Sequence, residues 1–156
     1  MSDLVALDVT DPLGSTLAEF IIGDPDLIYL DGNSLGRLHR NVVAAVEHAT
    51  RQEWGNGLVR SWEHWIDLPR QAGDVIGSLI GASPGEVLVA DQTSVNLFKL
   101  AEAAMARQHP RRVIVTDSAN FPSDRYVLEE VARRHAGELR VVADQDELAR
   151  VVDEST

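Results

Sequence analysis

The sequence predicts an α/β fold: a parallel, doubly wound sheet with flanking helices, preceded by a helical N-terminal arm. Short β-branched runs at 87–90, 113–115 and 139–142 alternate with stretches of helical period, and strands separated by helices pair in parallel as βαβ units. Each run ends in polar residues, beginning at Asp91, Thr116 and Asp144. Before residue 67 the pattern is different, with turn clusters and one long amphipathic stretch. This divides the chain into an arm and helical segment, 1–66, and an α/β part, 67–156.

Each element follows from local chemistry. Ser15 before an apolar run suggests a short capped helix that the turn Gly23-Asp24-Pro25-Asp26 ends. Leu27 to Leu30 reads as a short strand, and Asp31-Gly32-Asn33-Ser34-Leu35-Gly36 breaks it. From 41 to 54, Val42, Val43, Ala45, Val46 and Ala49 recur at helical spacing, which predicts a helix with one buried face. Gly55-Asn56-Gly57 is a break, and Trp62, His64 and Trp65 form an aromatic cluster. Residues 67–80 read as a second helix, with Pro69 in its first turn and Gly73 and Gly77 marking close packing. The helix after Thr93-Ser94 is expected to bury Leu97, Phe98, Ala101, Ala104 and Met105 and to stop near His109-Pro110. Ser123 can cap a helix to about His135 with Val127, Leu128, Val131 and Ala132 inward, and a last helix follows the strand at 139–142.

In βαβ units ligands gather at the carboxyl ends of strands, where helix N-termini favour an anion. Thr93 and Ser94 would add hydroxyls there, and Phe121, on the loop after the next strand, is placed to cover a flat ring. A phosphate and a planar ring together suggest pyridoxal phosphate. Taken alone, Thr93-Ser94 also reads as an ordinary cap contributing about 1 kcal/mol, and Asn33-Ser34 as a plain turn.

Composition narrows the partners. At 156 residues, 44% hydrophobic and 25% charged, the chain has material for a soluble domain with a real core. A net charge of −11 disfavours nucleic acid or an anionic membrane, which would be repelled. An anionic cofactor therefore needs local help. There is no cysteine, hence no disulfide framework and no Cys-based metal site; no metal is expected. The opening residues lack a basic, then apolar, leader, and no apolar run approaches a bilayer span of about 20 residues, so a cytoplasmic location is expected.

Tyr-Leu-Asp-Gly-Asn-Ser-Leu-Gly at 29–36, Asp-Gln-Thr-Ser-Val-Asn-Leu-Phe-Lys at 91–99 and Asn-Phe-Pro-Ser-Asp at 120–124, in order along nearly the whole chain, together resemble kynureninase. The resemblance implies part of the large domain of a fold-type I pyridoxal phosphate enzyme. Thr93 and Ser94 would bind the phosphate, and Phe121 would stack on the pyridine ring. Asp124 would hydrogen-bond near the ring or its substituents, or alternatively only complement its helix dipole. Asn33 and Ser34 would lie near substrate. Asn56 follows Trp54-Gly55 where the family often has histidine, so the chain departs from the pattern there.

Complete kynureninases hydrolyse L-kynurenine, or 3-hydroxykynurenine, to anthranilate, or 3-hydroxyanthranilate, and L-alanine in tryptophan catabolism, and a homodimer is expected of the complete protein. That chemistry needs a Schiff-base lysine. Lys99 is the only lysine, and it lies about a turn and a half into its helix, away from a phosphate at the helix start. The resemblance therefore implies an N-terminal portion that stops before its catalytic lysine and is inactive alone, with no catalytic residue of its own. Two alternatives stand beside it: a non-catalytic interaction or dimerisation module, and a piece of another fold-type I enzyme such as a cysteine desulfurase relative.

Overall fold

The computed structural model describes residues 2–156, which fall into two compact units divided between Leu68 and Pro69.

In the first unit, helix α1 (Ser2–Thr10) precedes a 3₁₀ turn at Gly14–Glu19. The turn replaces the expected Ser15-capped helix: no side chain caps it, and the Thr16 hydroxyl donates to the Leu13 carbonyl at 2.6 Å. Residues 27–30 do not form the expected strand. Among the described residues no strand pairs with them; instead Arg37 Nη2 donates to the Leu27 carbonyl at 3.1 Å and the Tyr29 hydroxyl donates to the carbonyls of Asp31 and Leu35. Phe20 and His39 make a single antiparallel bridge, their rings edge to face at 5.2 Å.

Helix α2 (Arg40–His48) begins on His39, whose Nδ1 accepts from the Asn41 N–H. It runs on as a π-helical segment, Ala49–Gly57, a geometry often found at functional sites. Its apolar stripe is not buried as the period suggested: Val42, Val43 and Val46 are exposed. A short helix, α3 (Trp62–Trp65), follows. Glu53 ties the π segment to it, accepting from the Trp65 indole N–H at 2.6 Å while its backbone carbonyl accepts from the Ser61 hydroxyl at 2.6 Å.

Helix α4 (Leu68–Ile80) carries Pro69 in its first turn, where the missing N–H costs nothing. A Cβ on Gly73 would run into the Val87 carbonyl, so only glycine lets 87–90 lie against this helix. That run is not a strand. The Val89 N–H donates to the Pro69 carbonyl at 3.2 Å, and among the described residues no strand pairs with this run. The βαβαβ expected from Val87 to Val142 is therefore an αβαβα arrangement with a two-stranded sheet.

Helix α5 (Thr93–Arg107) leads to strand β1 (Val113–Asp117), helix α6 (Pro122–Arg134), strand β2 (Glu138–Val142) and helix α7 (Gln145–Val151). The strands pair in parallel from Val113↔Glu138 to Asp117↔Val142, with α6 as the crossover. Met105 of α5, Leu128, Val131 and Ala132 of α6, and Val142 of β2 form the buried apolar core. Leu97, Phe98 and Ala101 are half-buried, and Ala104, expected inward, is exposed. Asp144 caps α7 by accepting from the Glu147 N–H at 2.8 Å. Among the described residues no helix is long and apolar enough to cross a membrane.

Candidate functional site

The first turn of α5 comes directly after a strained turn. Asp91 sits at φ 40°, a left-handed conformation that Asn and Asp tolerate better than most residues. The N-cap is Gln92, with no side-chain cap hydrogen bond. Thr93 and Ser94 are thus the first two helical residues and not the cap. No cap side chain occupies the first-turn N–H groups, which have no intrahelical acceptor.

The loop after β1 is built from its own polar side chains. Asn120 Nδ2 donates to the Thr116 hydroxyl at 2.9 Å, and its Oδ1 accepts from the Phe121 N–H at 2.8 Å. This staple sets Phe121 as the N-cap residue of α6, whose first residue is Pro122. Ser123, expected as the cap, stands one position inside the helix. Phe121 is 74% exposed, which rules out a core role for its ring. Asp124 is half-buried, and the Ser123 hydroxyl donates to its Oδ1 at 3.4 Å.

Thr93, Ser94, Asn120, Phe121, Ser123 and Asp124 line one cavity of about 360 Å³. All four residues expected to meet the cofactor border it, and Asn120 and Ser123 join them. Asn120 received no role from the sequence; the available signal was a side-chain amide on a strand-end loop directly before Phe-Pro. The N-termini of two helices meet at this cavity, each equivalent to about half a positive charge. No cationic side chain lines it, and Asp124 is its one carboxylate.

Further along both helices, α5 is fastened to the end of α6. Glu102 meets His135 Nε2 at 2.8 Å and Arg134 Nε at 2.7 Å. The hydrogen bond from His135, and then the positive charge of Arg134, hold the Glu102 carboxyl below its ordinary value of 4.5 against the opposing effect of burial. Arg134 also lies over the Phe98 ring, 5.7 Å from its centroid.

The other three expected residues belong to the first unit. Asn33 and Ser34 are exposed in a tight loop, where the Ser34 N–H donates to the Asp31 carbonyl at 3.1 Å. Asn56 is the next-to-last residue of the π segment and is also exposed, its Nδ2 donating to Gln52 Oε1 at 2.8 Å. Lys99 donates to the Asp91 carboxylate and is not among the residues that line the cavity.

Two helix N-termini, the Thr93, Ser94 and Ser123 hydroxyls and the uncovered Phe121 ring thus surround one cavity of a mixed α/β unit. Its sequence relatives are more specific. The chain is 42% identical to a kynureninase of Pseudomonas fluorescens and 41% identical to one of Burkholderia pseudomallei, in each case over 99% of its length and 39% of the relative's. It is 45% identical to a kynureninase of Deinococcus radiodurans over 85% of its length and 34% of the relative's. No family model matches the chain. The chain belongs with the kynureninases and corresponds to their N-terminal portion, spanning about 39% of the length of the first of these relatives.

Proposed function

We propose that the chain forms one side of the cofactor site of a kynureninase. In this reading the complete protein is a cytoplasmic, pyridoxal phosphate-dependent homodimer that hydrolyses L-kynurenine or 3-hydroxykynurenine to the corresponding anthranilate and L-alanine. The observation that carries the reading is the convergence of Thr93, Ser94, Phe121 and Asp124 on one cavity in a chain related to kynureninases along 99% of its length.

The residues present fit the cofactor. First-turn N–H groups of α5 and the Thr93 and Ser94 hydroxyls would bind the phosphate oxygens. Phe121, tied down by Asn120, would hold the ring flat. Asp124 would accept a hydrogen bond from a polar substituent or the ring edge. Pyridoxal phosphate, when bound, supplies an electron-withdrawing ring that stabilises negative charge on a substrate carbon. Asn33, Ser34 and Asn56 would serve the substrate side. With no cation lining the cavity, the phosphate charge is only partly balanced, so the 156 residues alone would bind the cofactor weakly. Because Lys99 is engaged by Asp91, we place the Schiff-base lysine outside these residues, and with it the acid for the ring nitrogen and the arginine for the substrate carboxylate.

A chimera tests this: the chain replaces the N-terminal portion of the Pseudomonas fluorescens kynureninase, and release of anthranilate from L-kynurenine is followed by fluorescence. Turnover that disappears when Thr93 and Ser94 are both changed to alanine is expected. A folded chimera that holds pyridoxal phosphate yet releases no anthranilate would refute the assignment.

A further inference from the structure

We infer that Asn96 and Lys99 are positioning residues for the phosphate end of the cofactor, holding the turn before α5 from behind so that the helix start stays open to the anion. The inference rests on the pyridoxal phosphate reading above.

Helices commonly begin on a Ser, Thr, Asp or Asn whose side chain folds over the N–H groups of the first turn. Such a cap would occupy the donors a phosphate needs. Here Gln92 stands at that position and makes no side-chain cap bond. Something else must hold the turn, because Asp91 is in the left-handed region at φ 40°, which costs energy for any residue but glycine.

Two side chains reach back from further along α5. Asn96 Nδ2 donates to the Ala90 carbonyl at 2.6 Å in a half-buried setting. Lys99 Nζ donates to the Asp91 carboxylate. The first bond restrains the backbone just before the strained residue. The second engages the acid two positions ahead of Thr93, which would otherwise repel a phosphate in a chain already carrying a net charge of −11. Together they do the holding work of a cap while leaving the N–H groups and hydroxyls of Thr93 and Ser94 unclaimed. They also give the only lysine of the chain a role that needs no imine.

The test uses the 156-residue chain, with inorganic phosphate as the probe and backbone amide NMR shifts as the readout. In the wild-type protein, phosphate is expected to move the amides of Thr93, Ser94 and Val95. Loss of the Asn96 hydrogen bond in Asn96→Ala should weaken the apparent affinity about fivefold. Loss of the exposed ion pair in Lys99→Met should weaken it about twofold, and Lys99→Arg should restore it. A merely structural role would lower the thermal midpoint without this localised signature or the arginine rescue. Wild-type affinity in both Asn96→Ala and Lys99→Met overturns the positioning role and leaves the cofactor reading standing. No response of those three amides in the wild-type protein overturns both. If Asn96→Ala does not fold, the Lys99 pair of variants decides alone: rescue by arginine supports the role, and equal affinity of the two variants ends it.

Discussion

The two units of this chain share a length scale and an apolar content, yet only one has an interior. Every buried apolar side chain among the described residues lies in Pro69–Thr156, where α5, α6 and the β1–β2 pair close around Leu128, Val131 and Val142. In Met1–Leu68 the stripe of α2 is as regular as that of α6, but Val42, Val43 and Val46 remain 43–61% exposed. An amphipathic pattern thus says which face seeks burial and not what covers it. A crossover helix supplies its own cover, because the strands it joins lie on its apolar side; among the described residues of its unit, α2 joins no strands.

Substitutions that probe cover should separate the units. Leu128→Ala is expected to destabilise the protein by about 2–4 kcal/mol in a denaturant titration, through lost transfer energy and a residual cavity. Gly73→Ala comes next, at about 1–3 kcal/mol, because its methyl group would meet the Val87 carbonyl and push 87–90 off α4. A stability change within about 0.5 kcal/mol would mean that this contact is loose.

Acid should act on the folded second unit. Hydrogen bonds from the Ser155 hydroxyl and N–H, and then from Arg140, lower the Asp153 carboxyl from 3.8 to about 2. Glu102 and Glu130 are also held low, chiefly by His135 and Arg133 respectively. Groups with depressed folded values add stability above their unfolded values and lose it as the pH falls through the folded ones. The unfolding midpoint should therefore be level down to about pH 5 and then decline towards pH 2, with Asp153→Asn flattening the lowest part. A midpoint that rises on acidification below pH 4.5 would contradict the assignment of Glu102. The smallest effect belongs to α2, where Val46→Ala should change stability by less than about 0.5 kcal/mol; a loss as large as that of Leu128→Ala would erase the contrast between the units.

Much of the second unit was legible because its signals are local. The period of α6, its inward Leu128, Val131 and Ala132, the close approach at Gly73 and the strand pair at 113 and 139 all follow from side-chain spacing. What failed depends on partners remote in sequence. Residues 27–30 and 87–90 have strand composition, but pairing requires a neighbour, and hydrogen bonds to Arg37 and to the Pro69 carbonyl took their place. Caps were misread for a different reason. Thr93, Ser94 and Ser123 are good capping residues by type, yet the chain entered each helix one or two positions earlier, at Gln92 and Phe121. That shift leaves the Thr93 and Ser94 hydroxyls beside the cavity. The meeting of Thr93 and Ser94 with Phe121 and Asp124 was expected from motif resemblance, whereas the stapling role of Asn120 needed the geometry of its two hydrogen bonds.

The account depends most on those two helix starts forming one side of a pyridoxal phosphate site. Titrating the chain with the cofactor, mapping amide shifts, and then reducing with borohydride and locating any adduct by mass spectrometry tests it most directly. Weak, saturable shifts at Thr93, Ser94, Phe121 and Asp124, with no adduct on Lys99, are the predicted result. Shifts that avoid those four residues, or a stoichiometric adduct on Lys99, would contradict it.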